Sequence, residues 1–235
     1  MDAGRYMLGA LFLAGCSTPT GTSQRAQEES AFRLEPVIWL PSVTGDTPGA
    51  SDSPIDVNLI GVEDIEFAIL LGLEVDYPDP QWSLLIDSVY VRFDDDEGLL
   101  RTELDIGMFE VAGARPTSAG SPVELIAGLR YWGLDVNSHI ASVAGVDRDE
   151  AWVDPIVGAR GTHEISENWS VHGRGDIGGF GLEADWTVQM LLKAQYRLSS
   201  GAHLVLGYRH LFLDFDDFDL AVTLTGPLIA FGWSF

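Results

Sequence analysis

The sequence predicts an all-β protein: a closed, antiparallel, up-and-down transmembrane β-barrel of about ten strands, with eight and twelve as the alternatives. Three observations carry that expectation. Between turn signals, nearly every segment after residue 30 alternates apolar and polar residues with period two. The apolar faces are bracketed by Trp and Tyr, which sit at headgroup level while aliphatic side chains fill the hydrocarbon band. No apolar run reaches the roughly 18 to 20 residues that a spanning helix needs, which leaves a barrel as the membrane option.

Taken in order, residues 1–15 read as an export signal: Arg5, an apolar run from Tyr6 to Ala14, then small residues. Leu13-Ala14-Gly15-Cys16 resembles the lipobox of bacterial lipoproteins, which implies cleavage before Cys16 and lipidation of its thiol; an ordinary signal with an incidental cysteine is the alternative. Cys16 is the only cysteine, so its acylation or removal leaves no free thiol in an oxidising compartment. Residues 16–30, rich in Ser, Thr, Gln and Glu, read as a flexible tether that reaches roughly 45 Å at about 3.3 Å per residue. The barrel domain is 31–235.

Strands are expected near 31–41, 66–77, 82–93, 102–113, 122–135, 150–164, 168–179, 185–198, 201–214 and 218–235. In the second, Phe67, Ile69, Leu71, Leu73, Val75 and Tyr77 share one face against Ala68, Gly72, Glu74 and Asp76. In the eighth, Trp186, Val188, Met190, Leu192, Ala194 and Tyr196 oppose Thr187, Gln189, Lys193, Gln195 and Arg197. An even count returns both termini to one side, taken as periplasmic, with turns at 78–80, 114–121, 166–168 and 199–201. The external connections are then 42–65, 94–101, 136–149, 180–184 and 214–217, and they receive the acidic blocks. Pro36, Pro155 and Pro227 fall inside strands, where a missing N–H predicts bulges. Near Gly226-Pro227 the apolar alternation changes phase, from Leu220, Val222 and Leu224 to Ile229, Phe231, Trp233 and Phe235, which also reads as a bulge.

The chain ends on Phe235 with Trp233, Phe231 and Ile229 at alternate positions, and this resembles the C-terminal signal that the bacterial barrel assembly machinery recognises; Ala230 stands where that signal usually has glycine. The segments Trp39-Leu40-Pro41, Gly128-Leu129-Arg130-Tyr131-Trp132, residues 152–160 (WVDPIVGAR), residues 174–181 (RGDIGGFG) and Gly207-Tyr208-Arg209 resemble a family of uncharacterised proteobacterial outer-membrane barrel proteins. The resemblance implies fold and bacterial outer-membrane location and brings no catalytic residues.

The formal charge of −23 argues against a nucleic-acid partner, since phosphate binding needs clustered Lys and Arg. The scarce basic residues fall instead on inward faces among acids: Arg33 and Glu35, Glu74 and Asp76, Asp87, Glu124 and Arg130, Asp154 and Arg160, His172, Arg174 and Asp176, Lys193 and Arg197, Arg209. A small barrel is about as wide as its own side chains, so these charges are expected to meet across the lumen as a polar plug, or to line a narrow pore. The expected role is structural or that of a minor channel. The alternatives are a soluble lipocalin-like periplasmic lipoprotein binding an apolar ligand and a lipid-modifying or proteolytic enzyme at the rim. The rim reading would use His210 with Asp214 and Asp216, or His139 with Asp147 or Asp149. No spacing is diagnostic of an enzyme, cofactor or metal site, and Arg174-Gly175-Asp176-Ile177-Gly178-Gly179 lacks the following helix of a phosphate loop. The expected partners are outer-membrane lipid, lipopolysaccharide and the barrel assembly machinery.

Overall fold

The computed structural model describes residues 31–46, 54–57, 65–78, 81–97, 100–140, 146–182, 184–199, 201–215 and 220–235. The signal and tether, with Cys16, lie outside them.

Those residues form β1 (Ala31–Trp39), β2 (Ser42–Asp46), β3 (Pro54–Val57), β4 (Ile65–Tyr77), β5 (Trp82–Glu97), β6 (Leu100–Pro116), β7 (Val123–Ile140), β8 (Val146–Glu164), β9 (Trp169–Gly179), β10 (Trp186–Arg197), β11 (Ala202–Phe215) and β12 (Leu220–Ser234). From β4 to β12 each strand is antiparallel to the next, and β1 pairs with both β4 and β12, which closes a barrel of ten strands. At the seam, the amide of Phe32 donates to the carbonyl of Phe235 at 3.1 Å and the amide of Phe235 returns the bond at 2.9 Å. A closed wall leaves no strand edge in the hydrocarbon, where an unpaired backbone group is costly.

The prolines are accommodated differently from the sequence expectation. Pro36 pairs with Leu71 and Pro155 with Leu129 without a bulge, while on their other sides the β1–β12 ladder keeps its register but skips Glu35 and Pro36 and the β8–β9 ladder begins only at Ile156. Pro227 also lies in an unbroken β11–β12 register, from Ala202 opposite Trp233 to Phe215 opposite Leu220, so the expected bulge at Gly226-Pro227 is absent. The interruption falls on its neighbour instead: β1 ends at Trp39, and β2 resumes at Ser42 in the same register along β12. Leu40 N–H donates to the Pro227 carbonyl at 3.1 Å, and proline has no N–H to return. Glycine at 226 is required there, because a Cβ would stand 1.9 Å from the Leu40 carbonyl oxygen.

Three further expectations are corrected. Residues 42–65 contain the β2–β3 hairpin, and residues 94–101 and 136–149 are largely strand, since β5 and β6 run to Glu97 and from Leu100 and β7 and β8 run to Ile140 and from Val146. The wall is therefore uneven: β5 to β8 have 16, 17, 18 and 19 residues, against 11 and 12 in β9 and β10. At about 3.3 Å per residue, the taller strands are roughly 13–26 Å longer, and the extra length lies on the side away from the termini.

Along the strands the two faces exchange character. Near the termini the outward face is apolar (Phe32, Leu34, Leu125, Leu129, Val157, Leu192, Leu204 and Ile229 are exposed), and the inward face carries the charged residues. Aromatic pairs border this band: Tyr77 stacks on Trp82 at 4.4 Å and Trp169 meets Tyr196 at 5.1 Å on the terminal side, while Phe180 meets Trp186 at 6.0 Å on the other. This is the pattern of a membrane barrel. Beyond it the order inverts. Val43, Val91, Ile106, Trp132, Leu211, Leu213, Val222 and Leu224 are buried inside one apolar cluster, while Thr44 and Arg92 are exposed and Asp105, His210, Asp214 and Thr223 half-buried on the outer face.

Candidate functional site

The charged layer occupies the lumen at the level of the outward apolar band. Its centre is a ring of four buried groups. Arg130, on β7, donates from Nε and Nη2 to Glu110 Oε2 at 3.1 and 2.6 Å and from Nη2 to Asp176 Oδ1 at 2.5 Å. Arg174, on β9, donates from Nη2 to Glu110 Oε1 at 2.6 Å and from Nε to Asp176 Oδ2 at 2.8 Å. Each carboxylate thus bridges both guanidiniums, whose planar forks match it. Glu110 is on β6, so the ring reaches over β7 and β8 to β9 rather than joining neighbours only.

Around the ring lie further pairs, some between adjacent strands and some across the lumen. Gln189 donates to Asp176 at 3.0 Å and accepts from Arg209, which also donates to Asp87 at 3.1 Å and lies over the Trp39 ring at 5.7 Å. Glu74 Oε1 accepts from Arg33 at 3.2 Å and Arg160 at 2.7 Å; Arg33 also binds Asp76, and Arg160 donates to Glu124 at 2.5 Å. Towards the termini, Glu35 accepts from Lys193 Nζ at 2.6 Å and meets His203 Nε2 at 3.2 Å. His203 passes over Gly232 to reach it, since a Cβ on that glycine would stand 2.3 Å from its Nε2. His172 has Thr162 Oγ1 at Nδ1 and Ser170 Oγ at Nε2, both at 2.9 Å, so its two ring nitrogens are occupied by hydroxyls.

All fifteen lumen positions named from the sequence lie on the inward register, but three stand apart from the charge network: His172, bonded to the two hydroxyls just described, Arg197 and Asp154. Arg197 is at the terminal rim, 39% exposed, near Glu164 at 3.8 Å and the Glu167 carbonyl at 3.3 Å. Asp154 is fully buried opposite Arg130, yet its Oδ2 accepts from the Trp152 indole at 3.1 Å instead.

Glu110, Gln189 and His203 are members that sequence reasoning missed. Alternation in β6 does assign Glu110, because Phe109 and Val111 face outward on either side of it. The signal was blurred because its companions on the inward face, Met108, Ala112 and Ala114, are apolar too.

At the opposite rim, His210 and Asp214 both lie on the outward register of β11, about 13 Å apart at roughly 3.3 Å per residue. Asp216 and the side chains of His139 and Asp147 lie outside the described residues. Among the described residues, no group of three His, Cys, Asp or Glu side chains is arranged to hold a metal ion.

No protein-family model matches the chain, and no curated protein sequence matches it. It is similar to the solved structure of Ail, the attachment invasion locus protein of Yersinia pestis, at 10% identity over 88% of this chain and 99% of that one, with a TM-score of 0.48. The translocator domain of the autotransporter NalP from Neisseria meningitidis matches at 10% identity over 89% and 90%, with a TM-score of 0.40. The toluene transporter TodX of Pseudomonas putida matches at 10% over 87% and 89%, with a TM-score of 0.26. The fold itself stands on the strand order and closure described above.

Proposed function

We propose that this protein is a bacterial outer-membrane barrel with both termini in the periplasm and a closed lumen, whose role is structural or that of a minor channel. The observation that carries the closed lumen is the ring of Arg130, Glu110, Arg174 and Asp176, all buried and joined across the interior. A permeating ion would have to separate buried charge pairs, and breaking such a pair is strongly unfavourable. It would then meet the apolar cluster of the external half, which resists wetting. Two unlike seals in series support a plug better than a pore.

Membrane placement is supported by the outward apolar band and its aromatic borders. Assembly by the barrel assembly machinery is supported by the exposed Phe231, Trp233 and Phe235 at the end of the closing strand. Lipid would contact the apolar band, and lipopolysaccharide the external half. The soluble-barrel alternative fits only the external half, where grease is inside; the enzyme alternative has no assembled residues among those described.

Planar-bilayer recording tests the reading. The purified full chain and its Arg130→Ala and Arg174→Ala variants are expected to give no stepwise current, the apolar layer still sealing the variants. A steady stepwise current from the wild type would overturn the closed lumen. A reversal potential altered by either substitution would then assign those arginines to ion selection.

A further inference from the structure

Beyond β9, strand β8 has a neighbour on one side only. Its ladder with β7 continues to Val146, opposite Ser138, whereas its ladder with β9 begins at Ile156, opposite Gly178. Residues 146–154 rise past the border marked by Phe180 and Trp186, roughly 30 Å of strand, and among the described residues no strand adjoins their second side. The turn after β9 folds inward instead of climbing along β8: Ala184 is buried in the apolar cluster and its N–H donates to the Asp154 carboxylate. A Cβ on Gly178 would stand 2.8 Å from the Pro155 carbonyl oxygen, so that carbonyl points towards β9. Backbone groups alternate sides along a strand, so Val153, Ala151 and Asp149 turn their N–H and C=O to that same side. All three are exposed, and Pro155, which has no N–H, closes the edge on the membrane side. An acidic row leads to the same edge. Arg92 lies opposite Asp105, Asp105 opposite Asp135 and Asp135 opposite Asp149, on one face of four adjacent strands.

We infer that the β8 edge from Asp149 to Val153 binds an extended segment of another protein, added as a strand beside β8, with Lys or Arg next to Asp149. An exposed ladder edge is a template for such addition: the main chain supplies affinity and the flanking side chains supply choice. Here charge complementarity selects the occupant. Opposite charges directly across a ladder stabilise it and like charges destabilise it. A basic residue beside Asp149 extends, with the opposite sign, a row of one base and three acids. A second copy of the chain does not fit. It would bring the same acidic edge, and rotation about the membrane normal reverses the tilt of its β8. Barrel strands tilt by about 35–45°, so the two edges would cross at roughly 70–90° instead of pairing. Only this exclusion rests on the membrane placement proposed above; a negative result in the experiment below leaves that placement as it is.

Amide hydrogen exchange of the full chain in detergent micelles tests it, alone and with short synthetic peptides of alternating Thr and Val that carry Lys or Glu at the centre. In the free chain the Ala151 and Val153 amides are expected to exchange rapidly. The Lys peptide should protect them, and the Glu peptide should bind about three- to tenfold more weakly. Asp149→Lys should reverse that preference. Ala151→Pro, which removes an N–H from this edge and none from the β7 ladder, should weaken binding of the Lys peptide by at least about threefold with the heat-modifiable band intact. Protection of both amides in the free chain would show that its own residues cover the edge, and would overturn the inference. So would a lack of protection by either peptide, or equal affinity for the two. If Ala151→Pro gives no folded band, the reversal by Asp149→Lys decides.

Discussion

The half of the barrel near the termini and the half beyond the far aromatic border share most of their strands, yet they solve burial in opposite ways. In the first, Leu206 and Ile229 face lipid while Arg130, Glu110 and Asp176 are enclosed. In the second, Leu211, Leu213, Val222 and Leu224 are enclosed while Thr44 and Arg92 face outward. The solvent outside each half dictates the difference. Where hydrocarbon surrounds the wall, outward polar groups are costly and the lumen must take them; where water surrounds it, apolar burial inside is the ordinary driving force. The inversion assigns the membrane band to the terminal half. It also means that one strand can be cohesive through ion pairs at one end and through packing at the other.

The largest effect is expected from breaking the charged half alone. Arg130→Ala leaves Glu110 and Asp176 with one buried cation between them, and removing one partner of such a cluster costs about 3–5 kcal/mol. Urea unfolding followed by heat-modifiable migration should show a strongly lowered midpoint. An unchanged midpoint would mean that water reaches the ring.

Next comes a contrast within one strand. Leu211→Ala, 1% exposed in the half far from the termini, should cost about 2–5 kcal/mol through cavity formation. Leu206→Ala, 52% exposed on the lipid face, should cost less than about 1.5 kcal/mol, because lipid fills the space the side chain leaves. Equal losses in the same urea assay would erase the distinction between the halves.

Gly232→Ala tests the seam and should be smaller, about 1–3 kcal/mol, because the added Cβ must push His203 away from Glu35. Imidazole NMR shifts of His203 would report the displacement, and an unaltered signal would show that the ring accommodates the methyl group. Smallest is Arg92→Ala on the outer wall. Its bond to Asp105 is bidentate, at 2.7 and 2.6 Å, but Arg92 is 45% exposed, so the cost should stay within about 1 kcal/mol.

The phase change in the last strand shows how sequence and structure divide the information. Leu220, Val222 and Leu224 alternate in one phase and Ile229, Phe231 and Trp233 in the other. Two physical events give that pattern: a backbone slip that rotates the strand, or a constant backbone passing from one solvent to another. The sequence favours neither, and a bulge was the natural expectation. The unbroken β11–β12 register selects the second event. The same ambiguity hid the apolar lumen of the half far from the termini, because its leucines and valines resemble lipid-facing residues until the height of the band is known.

Period-two alternation, the aromatic borders and the turn residues determined most strand locations, their antiparallel order and the inward set of charges, since each depends on local geometry along one strand. Tertiary structure decided who meets whom. Glu35 and Lys193 are 158 positions apart, Asp87 and Arg209 122, and Arg130 and Asp176 46. Nothing in a strand's own periodicity encodes which strand will stand across the lumen from it. That depends on how the strands tilt and stagger as the wall closes. It is also why Glu110, set among apolar neighbours, becomes the bridge between two arginines only once the ring is formed.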